Sequence, residues 1–126
     1  MYITQHLAVN LILSSIVLTI TGRPDLTFLF VIVGSLVDVD HYIYFAVKER
    51  NLNPIKSYNF FCKSYRKDIP LIFHSIEFMA IMFLAIVITG NIYIIIITSA
   101  IVVHMICDLV SDWKFIGNFR RFRLIK

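Results

Sequence analysis

Charge is scarce in this sequence. Asp, Glu, Lys and Arg make up 16% of its 126 residues, whereas a soluble domain carries about a quarter. Hydrophobic residues take 59%, more apolar surface than a water-soluble chain of one-domain length can hide. Mean hydropathy is +0.81, and the bilayer is the expected solvent. Cysteine is scarce too: Cys62 and Cys107 form no C-x-x-C, which argues against a disulfide framework or a zinc ribbon. There is no Gly-rich phosphate loop. The opening residues, Met1 to His6, carry no positive charge, and no small-residue cleavage site follows. The first apolar run is therefore expected to be a retained helix, not a signal peptide.

Basic residues are missing from most of the chain. Lys48, Arg50, Lys56, Lys63, Arg66 and Lys67 form one cluster, and Lys114, Arg120, Arg121, Arg123 and Lys126 form another. Arg23 alone lies elsewhere. A nucleic-acid-binding domain usually spreads such residues over a polar surface. Here they fall between and after apolar runs, so no nucleic-acid partner is expected and the clusters set membrane orientation.

Four apolar runs are present. They cover about Ile3 to Thr21, Leu26 to Val47, Ile69 to Thr89 and Ile92 to Val110. Thr21-Gly22-Arg23-Pro24-Asp25 and Gly90-Asn91 are the tight turns, and Pro70 is well placed for a helix start. Ile92 to Ile97 favours a strand on propensity. The length of each run favours helices, long enough to cross a hydrocarbon core of about 30 Å. The expected fold is all-α: one domain, residues 1–126, a four-transmembrane-helix bundle. The basic loop and tail put both termini in the cytoplasm, at the inner (plasma) membrane. The loop from Lys48 to Asp68 interleaves Tyr58, Phe60, Phe61 and Tyr65 with Lys63, Arg66 and Lys67. That character suits an interfacial anchor among lipid headgroups; a lid or an anionic-lipid surface is the sharper alternative.

The polar residues inside these runs are few, and they coincide in depth. His6, Asp38, His41, His74, His104 and Asp108 lie between roughly 18 and roughly 24 Å from the outer ends of their spans, at 1.5 Å per helical residue. Antiparallel helices thus place all four histidines in one layer less than about 8 Å thick, on the cytoplasmic side of the midplane. Asp38 and His41 are i,i+3, His74 and Glu77 are i,i+3, and His104 and Asp108 are i,i+4. Each pair is expected on one helix face. Asp40 points away from Asp38, toward a supporting role or another edge of the bundle.

A carboxylate at mid-span costs about 2.5–3.5 kcal/mol, and no lysine or arginine shares this depth. A divalent cation would compensate several at once. Imidazole with carboxylate suits zinc first, with manganese or iron as the alternatives. Paired buried polar groups or a proton path are the other readings of such a layer. Asn10, one turn from His6, reads as helix packing.

Gly34-Ser35-Leu36-Val37-Asp38-Val39-Asp40-His41, then His74-Ser75, then His104-x-x-x-Asp108, after an N-terminal His6, resemble the membrane-bound metal-dependent hydrolase family, the LexA-regulated inner-membrane group. The resemblance covers nearly the whole chain in order and spacing, and D-x-D-H with H-x-x-x-D is its specific part. It implies a metal site at His6, Asp38, Asp40, His41, His74, His104 and Asp108. Val37, Phe73 and Gln5 depart from the family's usual proline, threonine and threonine, and none of these changes removes a ligand. The expected activity is hydrolysis of a lipid-like or amphipathic ester or phosphoester at the cytoplasmic leaflet. The metal would activate water, and Asp40 or Glu77 would act as base. A metal or proton transporter using the same layer is the alternative. Membrane lipids are the expected partners.

Overall fold

The computed structural model describes residues 3–63 and 71–115, with side chains for 6–61 and 71–110. Among the described residues the regular structure is entirely helical: α1 (Ile3–Thr21), α2 (Pro24–Leu36), α3 (Val39–Glu49), α4 (Pro54–Lys63), α5 (Ile76–Thr89) and α6 (Ile92–Phe115).

The boundaries follow local chemistry. Gly22 takes a left-handed φ of 63° that ends α1, and Pro24 opens α2 with its missing N–H where none is needed. Arg23 Nη2 meets Asp25 at 2.7 Å and the Tyr93 hydroxyl at 2.7 Å, tying this turn to the start of α6. Gly90, with φ 57°, ends α5. Asn91 then accepts the Tyr93 N–H at 2.8 Å as α6 begins.

α1 packs on α2, and α2 on α6; α6 also packs on α5, and α3 on α4. Leu26, Phe30, Ile96 and Ala100 form one buried cluster, with Leu13 and Val17 of α1 against it. Val37, Met79 and Ile101 form a second, nearer the polar layer. The distribution of polarity is inverted. Among the described residues nine polar ones are buried, including His6, Asn10, Asp40, His74 and His104, beside nine apolar ones. Large apolar side chains cover the outside, as at Ile20, Val47 and Val87. A water-soluble domain does the reverse. Among the described residues two helical stretches are long and apolar enough to cross a membrane: Pro24–Glu49, which joins α2 and α3, and Ile92–Val110. His6–Thr21 and Ile76–Thr89 are shorter apolar helices.

Three boundaries differ from the sequence expectation. The second run is not one helix: it breaks between Leu36 and Val39. The break is shallow, since the Val37 N–H still reaches the Val33 carbonyl at 3.1 Å and Asp38 stays near helical φ and ψ. The third helix starts at Ile76 rather than Ile69, because Ser75 caps it: its hydroxyl accepts the Phe78 N–H at 3.1 Å. The basic-aromatic loop contains a helix, α4. Asn53 caps it, accepting the N–H groups of Ile55 and Lys56, with Pro54 in the first turn. Tyr65, Arg66, Lys67, Ile69, Pro70 and the basic tail from 116 onward lie outside the described residues.

Candidate metal centre

The break after α2 decides where the D-x-D-H block points. Asp38 stands at the N-cap position of α3, yet its carboxylate makes no capping bond. It faces the interior junction of α1, α6 and the 71–75 turn instead. His74 comes from that turn, just before the Ser75 cap. His104 and Asp108 come from α6, and His6 from the first turns of α1.

Two histidines are held in defined tautomers. His104 Nδ1 lies 2.9 Å from the Gly34 carbonyl oxygen. A carbonyl can only accept, so Nδ1 carries a proton, and in the neutral ring Nε2 carries the lone pair. His74 Nδ1 lies 3.1 Å from Asp40 Oδ2, and a carboxylate likewise makes Nδ1 the donor. His74 and His104 are 3% and 1% exposed, and both Nε2 atoms are buried without a hydrogen-bond partner. Such orphaned buried atoms are rare and call for a cause.

Both Nε2 atoms aim at two carboxylates. His104 Nε2 is 3.3 Å from Asp38 Oδ1 and 3.6 Å from Asp108 Oδ2. His74 Nε2 is 3.7 Å from Asp38 Oδ1 and 3.4 Å from Asp108 Oδ2. Four electron-pair donors therefore converge, all within 4.8 Å of one another. Metal–ligand bonds of roughly 2.0–2.2 Å in a tetrahedron set its edges at about 3.3–3.6 Å. The observed separations match that spacing closely and are longer than good hydrogen bonds. The donor set of two imidazoles and two carboxylates fits a divalent ion.

Other residues hold these donors. His6 Nε2 contacts the second oxygen of Asp108 at 3.1 Å, and the His6 ring stacks on His104 with centroids 4.2 Å apart and planes 12° apart. Asp40 is engaged on both oxygens. Oδ1 faces His41 Nδ1 at 3.0 Å, while Oδ2 accepts from His74 and from the Phe73 N–H at 3.1 Å. A carboxylate behind a ligating histidine fixes its ring and raises its basicity. His41 Nδ1 also lies 3.4 Å from Asp38 Oδ1. Asp40, His41 and His74 form a second group with donor atoms within 4.8 Å. The site opens beside Asp38, whose side chain is 31% exposed, next to His41 at 15%. Phe61 of α4 lies edge-on against His41 at 4.8 Å.

All four histidine rings thus join in one chain of contacts: His41 to His74 at 4.8 Å, His74 to His104 at 5.2 Å, and His104 to His6. Glu77 is half-buried in the first turn of α5. Because the helix starts at Ile76, Glu77 and His74 do not share a helix face, contrary to the i,i+3 expectation. Two contributors were not legible as site residues. The Gly34 carbonyl orients His104, and a main-chain acceptor leaves no side-chain signature, although the glycine itself stands in the G-S-x-x-x-D segment. Asn10 is 1% exposed, and its Nδ2 lacks a partner.

Comparison of this chain with family models, curated proteins and solved structures gives no match.

Proposed function

We propose that this chain is a multi-pass membrane protein with both termini on the cytoplasmic side. Its His/Asp centre holds a divalent metal ion, zinc in first place, and serves as a metal-dependent hydrolase of an amphipathic ester or phosphoester at the inner leaflet. One observation carries the reading: two buried Nε2 atoms without a hydrogen-bond partner face two carboxylates at 3.3–3.7 Å, near the edge spacing of a tetrahedral metal site. The inverted polarity and the two long apolar stretches support the membrane. The resemblance of D-x-D-H and H-x-x-x-D to a membrane-bound hydrolase family supports the reaction class.

When bound, the ion supplies Lewis-acid polarisation and lowers the pKa of water. Asp38, His74, His104 and Asp108 hold it. Gly34, Asp40 and His6 fix their orientation. Asp40 has both oxygens turned to imidazoles and so acts by positioning. Glu77 is the acid assigned to proton transfer. Substrate approaches at the Asp38 edge, beside α4, whose aromatic residues suit the headgroup zone.

Transport through the same layer has one observation in its favour, the buried Asn10, Ser14 and Thr98 beyond it. The Ser14 and Thr98 hydroxyls, however, bond to carbonyls of their own helices at 2.8 Å, and Leu26, Phe30, Ile96 and Ala100 close the bundle. That arrangement favours a one-sided pocket.

The test is elemental analysis of purified wild type, Asp38→Asn and His104→Ala, followed by hydrolysis of a lipid and ester panel. Stoichiometric metal in wild type, lost in both variants, with metal-dependent turnover, is expected. Wild-type protein without metal overturns the centre. Bound metal with no turnover, but with uptake into proteoliposomes that His104→Ala abolishes, replaces hydrolysis by transport.

A further inference from the structure

Beside the four donors proposed for the first ion stands a second histidine–carboxylate group, Asp40, His41 and His74, in which His41 has no role at the first ion. Asp40 stands between two imidazoles, with Oδ1 at 3.0 Å from His41 Nδ1 and Oδ2 at 3.1 Å from His74 Nδ1. A carboxylate that only orients His74 needs no imidazole on its other oxygen. His41 supplies one, and its ring is wedged between His74 and Phe61, edge-on to each at 4.8 Å. The Asp40 side chain is 7% exposed and that of His74 4%, so this group sits largely out of water.

Resting on the metal-binding reading above, we propose that the centre holds two divalent ions. The second is bound by the Asp40 carboxylate, His41 Nδ1 and His74 Nδ1. His74 is shared, giving Nε2 to the first ion and Nδ1 to the second.

The chemistry balances. The second ion takes the place of the protons that the two Nδ1 atoms otherwise direct at Asp40. His41 would shift its proton to Nε2 and stay neutral, while the His74 Nδ1 proton would leave to solvent, making His74 a bridging imidazolate. Asp38, Asp40 and Asp108 carry three negative charges, and the imidazolate carries a fourth. Two divalent ions match them, so the filled centre is neutral. A single ion over the same three carboxylates leaves net negative charge where desolvation is costly. The accessible flank of the second group, at His41, adjoins the Asp38 edge. A second ion there has open coordination positions facing the same entrance as the first.

The experiment counts ions. Detergent-purified protein is stripped with chelator, reloaded with zinc alone and desalted; zinc per chain is then measured for wild type, His41→Ala and His41→Gln. Two zinc ions per wild-type chain and one in each His41 variant are expected, with about one proton released on the second wild-type equivalent. One zinc in wild type and in the His41 variants overturns the two-ion centre and leaves the first site standing. No zinc in wild type removes both readings. If the His41 variants do not fold, cobalt(II) substitution of wild type decides. An exchange-coupled pair is expected, and an isolated high-spin signal refutes the proposal.

Discussion

Gly34 of α2 lies directly against Asn10 of α1. A Cβ placed on it would lie 2.7 Å from both Asn10 Nδ2 and Oδ1, and 2.8 Å from Cγ. Asn10 is 1% exposed, so its amide has little room to retreat. Gly34→Ala therefore forces a local shift of several tenths of an ångström. Overpacking of this kind costs about 1–3 kcal/mol, and the lower part of that range applies because the new methyl strikes a side-chain amide, not backbone. For a chain of this length that corresponds to a fall in Tm of at least roughly 2–4 °C. The effect reaches the metal centre, because the same residue's carbonyl holds His104 Nδ1 at 2.9 Å. If about 1.4 kcal/mol of the strain falls on that contact, zinc affinity drops about tenfold. Asn10→Ala should be mild alone, since its Nδ2 already lacks a partner and removing an unsatisfied group relieves a penalty. Combined with Gly34→Ala it makes room for the new methyl, giving a favourable coupling of about 0.5–3 kcal/mol. Thermal unfolding in detergent and zinc competition titration measure both quantities. A Gly34→Ala protein equal to wild type in both, or a double variant no better than Gly34→Ala, refutes the reasoning.

Asp40→Asn keeps the ion facing Asp38 and Asp108 but weakens its binding about 10–100-fold, while Asp108→Asn abolishes it; competition titration separates them, and equal losses would contradict the positioning role. Acidification should release the metal, because protons compete for the same imidazole nitrogens and protonated histidine cannot ligate. Metal content after dialysis across a pH series checks that sign. Ser75→Ala removes the α5 cap at a cost of about 0.5–2 kcal/mol, and unchanged thermal stability would count against the capped start at Ile76. Phe61→Ala should speed amide hydrogen exchange across α4 while leaving the metal in place, and protection equal to wild type would show that the His41–Phe61 contact does not hold α4.

Much of the fold follows from periodicity and punctuation. α1 ends where Thr21-Gly22 announces it, and α6 begins directly after Gly90-Asn91, because positive-φ glycines leave a plain sequence trace. The break at Val37–Asp38 does not, since apolar residues continue on both sides and neither glycine nor proline marks it. Its cause is tertiary: Asp38 gives its carboxylate to His104, not to its own helix end. The start at Ile76 was hidden by the apolar stretch before it, although Ser75 was a legible cap. Asn53-Pro54 was equally legible as the start of α4, and the mixed aromatic-basic composition masked it. For the site, depth counting groups side chains that the structure also brings together. It does not separate Asp40 from Asp38, two residues away. Only the bend of the chain and the imidazole tautomers distinguish them.

The chain of ring contacts from His41 through His74 and His104 to His6 joins four separate segments: α3, the 71–75 turn, α6 and α1. None can complete the donor set alone. On the proposed metal-binding reading, capture of the ion would be the last event of assembly, a clasp that closes only after the helices have found their partners. A loaded ion would then certify a correctly assembled protein, and metal starvation would leave the segments in place but unfastened.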